Sequence, residues 1–240
     1  MLLIPGTGFG AGTWGRFGEL VATRGRAIAY GRRGFTPAAP EPAEDMRVHG
    51  DDARRVLERA EAGPADVVGW SGGGLVAISL AIEHPGFCRS LLLIEPSIHG
   101  LRGITLSALA MVLRARAVRL ARGQRAATDL TYRWTFAYRG RGHNAWEEMP
   151  AEWRGEVLAR APAVAAEQAQ ETTLRYPPAS ALRALDLPVA IALGELSQPY
   201  FHRIARYVER LLPRARLHSI PEASHAVHLD APEAVADLLR

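Results

Sequence analysis

One serine of this chain lies in a pattern typical of a nucleophile. Gly69-Trp70-Ser71-Gly72-Gly73 stands between an apolar run that predicts a strand, Ala65 to Val68, and one that predicts a helix, Leu75 to Ile82. A serine at a sharp strand-to-helix turn projects its hydroxyl above the sheet, and glycines at positions 69 and 73 leave room for the backbone. The chain holds 23 glycines, so the flanking strand and helix, rather than the five-residue pattern alone, identify Ser71 as the candidate nucleophile.

A serine hydroxyl needs a base at neutral pH, and an imidazole can take its proton and return it to a leaving group. His225 is the best candidate because it follows a predicted strand and precedes the last predicted helix, whereas His218 lies inside a strand and His228 lies three residues further on. The other histidines fall in predicted helices or surface turns: His49, His84, His99, His143 and His202.

The composition is that of an ordinary globular protein. With 240 residues and 48% hydrophobic content, the chain can bury one full core and a smaller subdomain. A single cysteine, Cys88, excludes a disulfide framework and is expected to be an inert buried thiol at the end of a helix. The sequence pI is about 9.7, but the 29 basic residues are all arginine and are interspersed with 25 acidic residues, so no nucleic-acid partner is expected.

One cluster of arginines has helical spacing beside apolar residues, and we interpret it as a solvated helix face rather than a membrane or RNA surface. Its members are Arg114, Arg116, Arg119, Arg122 and Arg125, beside Leu109, Val112, Leu113, Val118 and Leu120.

Short apolar runs alternate with helical patterns, which favours an α/β fold with a mostly parallel sheet of about six strands and helices on both faces. The predicted strands are Leu2 to Ile4, Ala27 to Tyr30, Val67 to Val68, Leu91 to Ile94, Val189 to Leu193 and Arg216 to Ile220, with helices over Asp52 to Glu61 and Pro232 to Arg240.

The region between Pro96 and Pro188 is mostly helical and rich in alanine and arginine. A long helical insertion after a sheet strand predicts a cap over the strand ends, so we expect a core of residues 1–96 and 181–240 and a cap of residues 97–180. Trp70, Trp134 and Phe136 are the candidates for lining a substrate pocket.

The sequence shows no segment that would target the protein to a membrane or for export. Met1 to Ile4 has no basic region before it and is too short for a signal peptide, and no apolar stretch is long enough to span a bilayer, so a cytoplasmic protein is expected.

The sequence motifs of metal and nucleotide sites are absent. The chain has no zinc-type histidine pair and no phosphate loop ending in lysine, and Gly6 to Gly10 lacks a dinucleotide-binding context. We predict no metal and no cofactor.

The order of strand, elbow, helix, cap and late histidine resembles the α/β-hydrolase fold superfamily over nearly the whole chain. Leu2 to Gly8 is similar to the strand and loop with the His-Gly oxyanion motif, with Pro5 in the histidine place. Tyr30 to Phe35 is similar to the Asp-x-Arg-Gly-x-Gly turn, with Gly31 where aspartate is usual. Gly69 to Gly73 is similar to the nucleophile elbow, and Pro221 to His225 to the Gly-x-Gly-His loop.

The resemblance implies an oxyanion hole formed by the backbone N–H groups of Thr7 and Gly72. It also implies an acid to orient the histidine, but the usual aspartate position holds Ser197, and a hydroxyl cannot stabilise an imidazolium. Glu95, at the end of the strand after the nucleophile strand, is the first candidate because some family members place their acid there; Glu195 is the second.

The family begins with two strands before the oxyanion strand, whereas this sequence begins at that strand. Either the chain is a shortened form or an upstream region is missing, and the second case would leave a sheet edge that favours association. A homodimer is therefore possible.

The leading hypothesis is a cap-bearing serine esterase, a hydrolase that cleaves a small ester, thioester or lactone through an acyl-enzyme. Cofactor-free carbon–carbon bond hydrolysis on the same scaffold stays open, as does a catalytically silent binding protein. Dehalogenase and epoxide hydrolase activities are disfavoured because those relatives use an aspartate nucleophile. The expected partner is a small-molecule substrate, without nucleic acid or membrane.

Overall fold

Six short apolar segments form one parallel sheet in a computed structural model of the protein, which describes residues 1–239, without the side chains of residues 171 and 172. The strand order is β2-β1-β3-β4-β5-β6 and every neighbouring pair is parallel, which confirms the predicted α/β class. The strands are β1 (Leu2–Ile4), β2 (Ile28–Ala29), β3 (Ala65–Trp70), β4 (Cys88–Ile94), β5 (Val189–Gly194) and β6 (Ala215–Ile220).

Twelve α-helices are described along these residues, and those between β4 and β5 form the helical region that the sequence predicts. They are α1 (Gly15–Thr23), α2 (Met46–Arg59), α3 (Gly72–Glu83), α4 (Leu106–Thr135), α5 (Ala145–Glu148), α6 (Ala151–Ala159), α7 (Ala161–Ala169), α8 (Glu171–Arg175), α9 (Ala179–Ala184), α10 (Pro199–Leu211), α11 (Val227–Asp230) and α12 (Pro232–Ala236). Two short 3₁₀ helices cover Pro85–Phe87 and Gly100–Gly103.

The two faces of the sheet bury alternate residues of each strand, as the period of two requires. On one face Ile4, Val67 and Leu91 pack with α2, α3 and α10. On the other face Val68 and Leu92 pack with α1, α12 and the aromatic residues of the cap. Both faces are therefore covered, and the carboxyl ends of β3, β4 and β5 meet at one edge, where a site can form.

The element boundaries differ from the sequence expectation by a few residues in several elements, and three of the differences have a consequence. Helix α2 begins at Met46 because the Asp45 side chain accepts a hydrogen bond from Arg47 N at 2.7 Å and caps the helix earlier than predicted. The last helix ends at Ala236. Cys88 opens β4 instead of ending a helix, and burial raises the pKa of its thiol to about 12, as expected of an inert thiol.

Helix α4 crosses the cap and is bent at Gly123, whose φ of 82° and ψ of 173° lie outside the helical region. The half after the bend turns Thr128 and Tyr132 into the protein interior. Among the described helices, none combines the length and the apolar character needed to cross a membrane.

Candidate active site

Ser71 lies at a strained turn between β3 and α3. Its φ of 53° and ψ of −119° are a conformation that residues other than glycine rarely adopt. The turn is held by hydrogen bonds from Ser71 N to Ile94 O and from Gly74 N to Ser71 O, each 2.9 Å long. A Cβ atom at Gly69 would collide with Gly73 O, and one at Gly73 would collide with Ile4 O. The predicted need for glycine at these two positions follows from these close approaches.

His225 and Glu95 form a buried pair beside this turn. His225 Nδ1 lies 2.6 Å from Glu95 Oε2, and the two side chains are 2% and 0% exposed. Because an ionised carboxylate only accepts hydrogen bonds, the geometry places the proton of a neutral imidazole on Nδ1 and leaves Nε2 as an acceptor. This tautomer is the one that a general base requires.

The other oxygen of Glu95 is held by its own donors. Gly194 N donates to Glu95 Oε1 at 2.7 Å, and the Ser197 hydroxyl donates to the same oxygen. Ser197, which occupies the usual position of the acid, is thus a hydrogen-bond donor to the carboxylate that faces the histidine.

Glu195, the second candidate for the acid, points elsewhere. The residue is exposed, and its Oε2 accepts a hydrogen bond of 3.4 Å from Glu222 N on the surface. In the described hydrogen bonds, only Glu95 of the two candidates contacts the His225 ring.

The Ser71 hydroxyl has a different partner. Ser71 Oγ lies 3.2 Å from Ser97 Oγ, and no described hydrogen bond joins it to His225. The neighbouring Trp70 Nε1 nevertheless donates to His225 O at 3.0 Å, which ties the histidine loop to the elbow. Catalytic hydrogen bonds are often long without substrate and shorten in the complex, so this arrangement is compatible with a serine–histidine pair.

Thr7 and Gly72, the predicted oxyanion donors, lie together. A Cβ atom at Gly72 would collide with the Thr7 hydroxyl and would lie 3.2 Å from Glu167 Oε1. Gly72 is the first residue of α3, so its backbone N–H has no acceptor within the helix. The Thr7 side chain therefore lies against the start of α3, next to Ser71.

Glu167 is a residue of this region that the sequence analysis missed. It comes from the cap helix α7 and accepts a hydrogen bond of 2.7 Å from Thr7 Oγ1. Arg32 donates to both of its oxygens, at 2.8 and 3.0 Å, and His49 Nε2 lies 3.1 Å from it. The one signal in the sequence is that Glu167 is the single ionisable residue of the alanine-rich segment Ala161–Ala169.

The charges that surround Glu167 determine the protonation of Glu167 and His49. Burial alone would raise the pKa of Glu167, but the Arg32 guanidinium and the His49 hydrogen bond hold that pKa far below its usual range. Burial and the same guanidinium lower the pKa of His49. The Glu167 carboxylate is therefore ionised and paired with Arg32, beside the predicted oxyanion donors Thr7 and Gly72.

The three aromatic candidates for the pocket occupy different places. Phe136 is buried with its ring centroid 5.1 Å from that of His225, and Trp70 is fully buried with its centroid 6.0 Å from His225. Trp134 is half-buried and lies against Tyr200, 6.3 Å between centroids. Phe136 and Trp70 thus border the histidine directly, whereas Trp134 does not contact it in the described ring pairs.

The described residues contain no group of three or more histidine, cysteine, aspartate or glutamate side chains arranged to hold a metal ion.

Comparison with known proteins gives the same fold and a set of hydrolytic relatives. The family model of the alpha/beta hydrolase family matches residues 1–238. A pimeloyl-[acyl-carrier protein] methyl ester esterase of Chromobacterium violaceum is 26% identical over 231 residues, which are 95% of this chain and 88% of that protein. A 2-hydroxymuconate semialdehyde hydrolase of Pseudomonas sp. strain CF600 is 38% identical over 101 residues, 39% of this chain and 35% of that protein.

Solved structures resemble the whole chain. Est816, an N-acyl homoserine lactone degrading enzyme, superposes with a TM-score of 0.76 at 20% identity and covers 100% of this chain and 91% of its own. A thermophilic esterase from Thermogutta terrifontis gives a TM-score of 0.76 at 22% identity, covering 100% of this chain and 87% of its own. At these identities the likeness shows the fold.

Proposed function

The chain belongs to the alpha/beta hydrolase family and is a hydrolase, and from this premise we propose that it cleaves a small carboxylic ester, thioester or lactone through an acyl-enzyme on Ser71. The observation that carries the proposal is the buried contact of 2.6 Å between His225 Nδ1 and Glu95 Oε2, next to a strained serine turn. A buried carboxylate on Nδ1 of an imidazole beside a serine turn is the arrangement that orients the base of a catalytic triad.

In the proposed reaction Ser71 Oγ attacks the carbonyl carbon while His225 Nε2 takes the hydroxyl proton. The carbonyl π bond opens and its electrons move to the oxygen, which lies between the backbone N–H groups of Thr7 and Gly72. Each such donor is worth about a hundredfold in rate because it meets charge only in the transition state.

Breakdown of the tetrahedral intermediate expels the alcohol, thiol or tethered alkoxide, which receives the proton from His225. Water then attacks the acyl-enzyme, with His225 again acting as base, and Ser71 recovers its proton when the acid leaves. No cofactor takes part in these steps.

Glu95 is proposed as the acid of the triad in the place of the usual aspartate. Its carboxylate holds the Nδ1 proton and stabilises the imidazolium that forms in each half-reaction. The donors Gly194 N and Ser197 Oγ fix the carboxylate on its other oxygen, so the glutamate keeps one orientation toward the histidine.

The substrate class rests on the relatives and on the cap. Two of the comparison proteins are esterases by name, and one degrades a lactone, so an acyl-oxygen bond is the first choice. Carbon–carbon bond hydrolysis is the second candidate, and the observation that favours it is the match of 101 residues to the semialdehyde hydrolase.

Steady-state hydrolysis of p-nitrophenyl esters of increasing acyl length tests the proposal. The wild type should turn over the short esters, and Ser71→Ala should lose at least about three orders of magnitude in kcat/KM. A matched control is Ser97→Ala, which removes the hydroxyl partner of Ser71 and should keep most of the activity. Equal activity in wild type and Ser71→Ala would contradict the proposal, and inactivity on every ester would point to the carbon–carbon substrate or to a binding protein.

A further inference from the structure

The first half of α4 presents its apolar residues to solvent instead of to the core. Leu106, Leu109, Leu113 and Leu120 are 88%, 48%, 60% and 79% exposed. Their spacing of three, four and seven residues places them on one side of the helix. This leucine stripe, defined by these four residues, is the reverse of the usual amphipathic arrangement.

The opposite side of the same helix explains the orientation. Ala108 and Met111 are buried against the body of the protein, at 6% and 8% exposure. The leucine stripe therefore points away from the protein, and Leu101 and Ile104, each 45% exposed, extend the apolar surface before the helix begins. Contiguous exposed apolar surface of this kind on a folded domain marks a contact with another phase or molecule.

The charges around the leucine stripe have one sign. Between Ser97 and Thr128 the sequence contains six arginines and no acidic residue. Arg114 and Arg116 flank the stripe on its two sides, with Arg119 next to Arg116, and all three are exposed. In the described part of the chain none of these three forms an ion pair. A second copy of this helix would bring like charges together without an acidic partner, so self-association through this face is disfavoured.

We propose that the leucine stripe and its flanking arginines form a docking face for an anionic lipid surface. Leucines on the outer side can enter the acyl boundary while arginines on both flanks reach the phosphate groups, which is the recognition mode of an interfacial helix. A lipid surface fits better than an acidic protein because the four residues of the stripe are all aliphatic and include none of the aromatic anchors that protein interfaces use. The sequence alone favoured no membrane partner, because it has no spanning segment and because the arginine cluster was interpreted as a solvated helix face. A surface contact needs no spanning segment, and the exposure of the leucines beside these arginines favours the membrane interpretation instead.

The proposal is independent of the reaction assigned to Ser71, and it is tested by co-sedimentation with large unilamellar vesicles. The vesicles contain phosphatidylcholine alone or with about one third phosphatidylglycerol. The wild type should bind the anionic vesicles at least about tenfold more tightly than the neutral ones, and binding should weaken when salt is raised to about 0.5 M.

Two variants separate the two halves of the docking face. Leu106→Ser/Leu113→Ser/Leu120→Ser and Arg114→Gln/Arg116→Gln/Arg119→Gln should each weaken binding to anionic vesicles about tenfold. The matched control, Arg59→Gln/Arg206→Gln/Arg210→Gln, removes the same charge from exposed arginines elsewhere and should bind like the wild type. Circular dichroism confirms that each variant is folded, which the exposure of the substituted residues favours.

Four results would overturn the proposal. The first three are that the wild type binds neither kind of vesicle, that the control variant loses as much binding as the other two, and that the leucine variant binds as tightly as the wild type. The fourth is that the wild type binds no vesicle but forms a dimer in sedimentation velocity, and that the leucine variant is a monomer. Leucine-dependent binding to poly-L-glutamate in the absence of vesicle binding would likewise replace the lipid with an acidic protein partner.

Discussion

At the scale of single residues, the account depends on which carboxylate faces His225. The chain has a serine, Ser197, where the family usually has its acid, and the structure places Glu95 from the preceding strand against the imidazole. A carboxylate can reach the same ring from either strand because the carboxyl ends of β4 and β5 are neighbours in the sheet. The position of the acid in the sequence is thus less constrained than its position in space.

Substitution of Glu95 should separate the two candidate acids. Glu95→Gln should lower kcat by at least about two orders of magnitude. The neutral amide cannot stabilise the imidazolium, and with its oxygen held by Gly194 N it turns its NH2 group toward Nδ1 and favours the wrong tautomer. Glu195→Gln should change kcat by less than about twofold, because that side chain is exposed and bonded to the surface loop. Steady-state ester hydrolysis measures both, with urea unfolding as the check on folding. The reverse pattern would move the acid to Glu195.

A second residue-scale prediction concerns His228, which lies under the site. Its Nε2 lies 3.3 Å from Thr13 O, and its ring centroid lies 4.4 Å from that of Trp70. Burial lowers the pKa of His228 to about 3. As pH falls below the ordinary value of about 6.5, the unfolded chain takes up a proton that the folded chain refuses. The free energy of unfolding should therefore decrease by about 1.4 kcal/mol per pH unit from this group between pH 6.5 and 3.

The variant His228→Gln isolates that contribution. Urea unfolding at a series of pH values between neutrality and pH 4 should give a shallower pH dependence for the variant, by up to about 1.4 kcal/mol per unit, although the variant is less stable at neutral pH. His218→Gln, on a partly exposed strand position, is the control for the loss of one imidazole. Identical slopes in wild type and His228→Gln would contradict the account.

At the scale of elements, the turn between β3 and α3 is the feature that local sequence determines most completely. A strand, a glycine-rich turn and an apolar helix predict both the turn and the direction of the serine side chain. They do so because the close approaches at Gly69 and Gly73 involve only residues a few positions away and the adjacent strand β1. The strands were predicted for the same reason, since the apolar runs are local. Element ends such as Met46 were not, because they depend on a cap whose geometry the pattern does not show.

The substitution Gly73→Ala tests whether the turn between β3 and α3 needs glycine at this position. Because the new Cβ would collide with Ile4 O, Gly73→Ala should lower the free energy of unfolding by about 2–4 kcal/mol and abolish turnover. Gly86→Ala is the matched control, with nothing within 4 Å of the added atom, and its stability should change by less than about 0.5 kcal/mol. Urea unfolding of both proteins provides the comparison, and equal stability would contradict the tight turn.

At the scale of the whole molecule, the ion pair between Glu167 and Arg32 joins the helical region between β4 and β5 to the segment that follows β2. Their side chains are 5% and 0% exposed, and the same carboxylate binds the loop that carries Thr7. The sequence could not predict this contact, because 135 residues separate the two partners and a single glutamate in an alanine-rich helix has many possible neighbours. The sequence shows leucines beside the arginines of α4, but it could not predict that the leucine stripe is exposed, since the spacing defines an apolar side without showing which way it faces.

Removing the charge of Glu167 should therefore affect both stability and catalysis. Glu167→Gln leaves the Arg32 guanidinium buried without a counter-charge, which should cost about 3–5 kcal/mol of unfolding free energy. The glutamine has one acceptor oxygen where the carboxylate had two, so Arg32 and Thr7 would share it and the Thr7 loop would be held less firmly. In that case kcat should fall more than KM rises if the loop supplies an oxyanion donor. Glu156→Gln, which breaks a partly exposed i,i+4 pair with Arg160 at the end of α6, should cost less than about 1 kcal/mol. Equal effects of the two substitutions would contradict the role of the buried pair.

Covalent labelling shows whether Ser71 is a nucleophile activated by His225 and Glu95. The protein is treated with a fluorophosphonate, and intact mass and peptide mapping locate the adduct. The account predicts one adduct per chain on the peptide containing Ser71, absent in Ser71→Ala and formed at least about a hundredfold more slowly in Glu95→Gln. A folded wild type that forms no adduct, or one that is labelled at another residue, would contradict the claim.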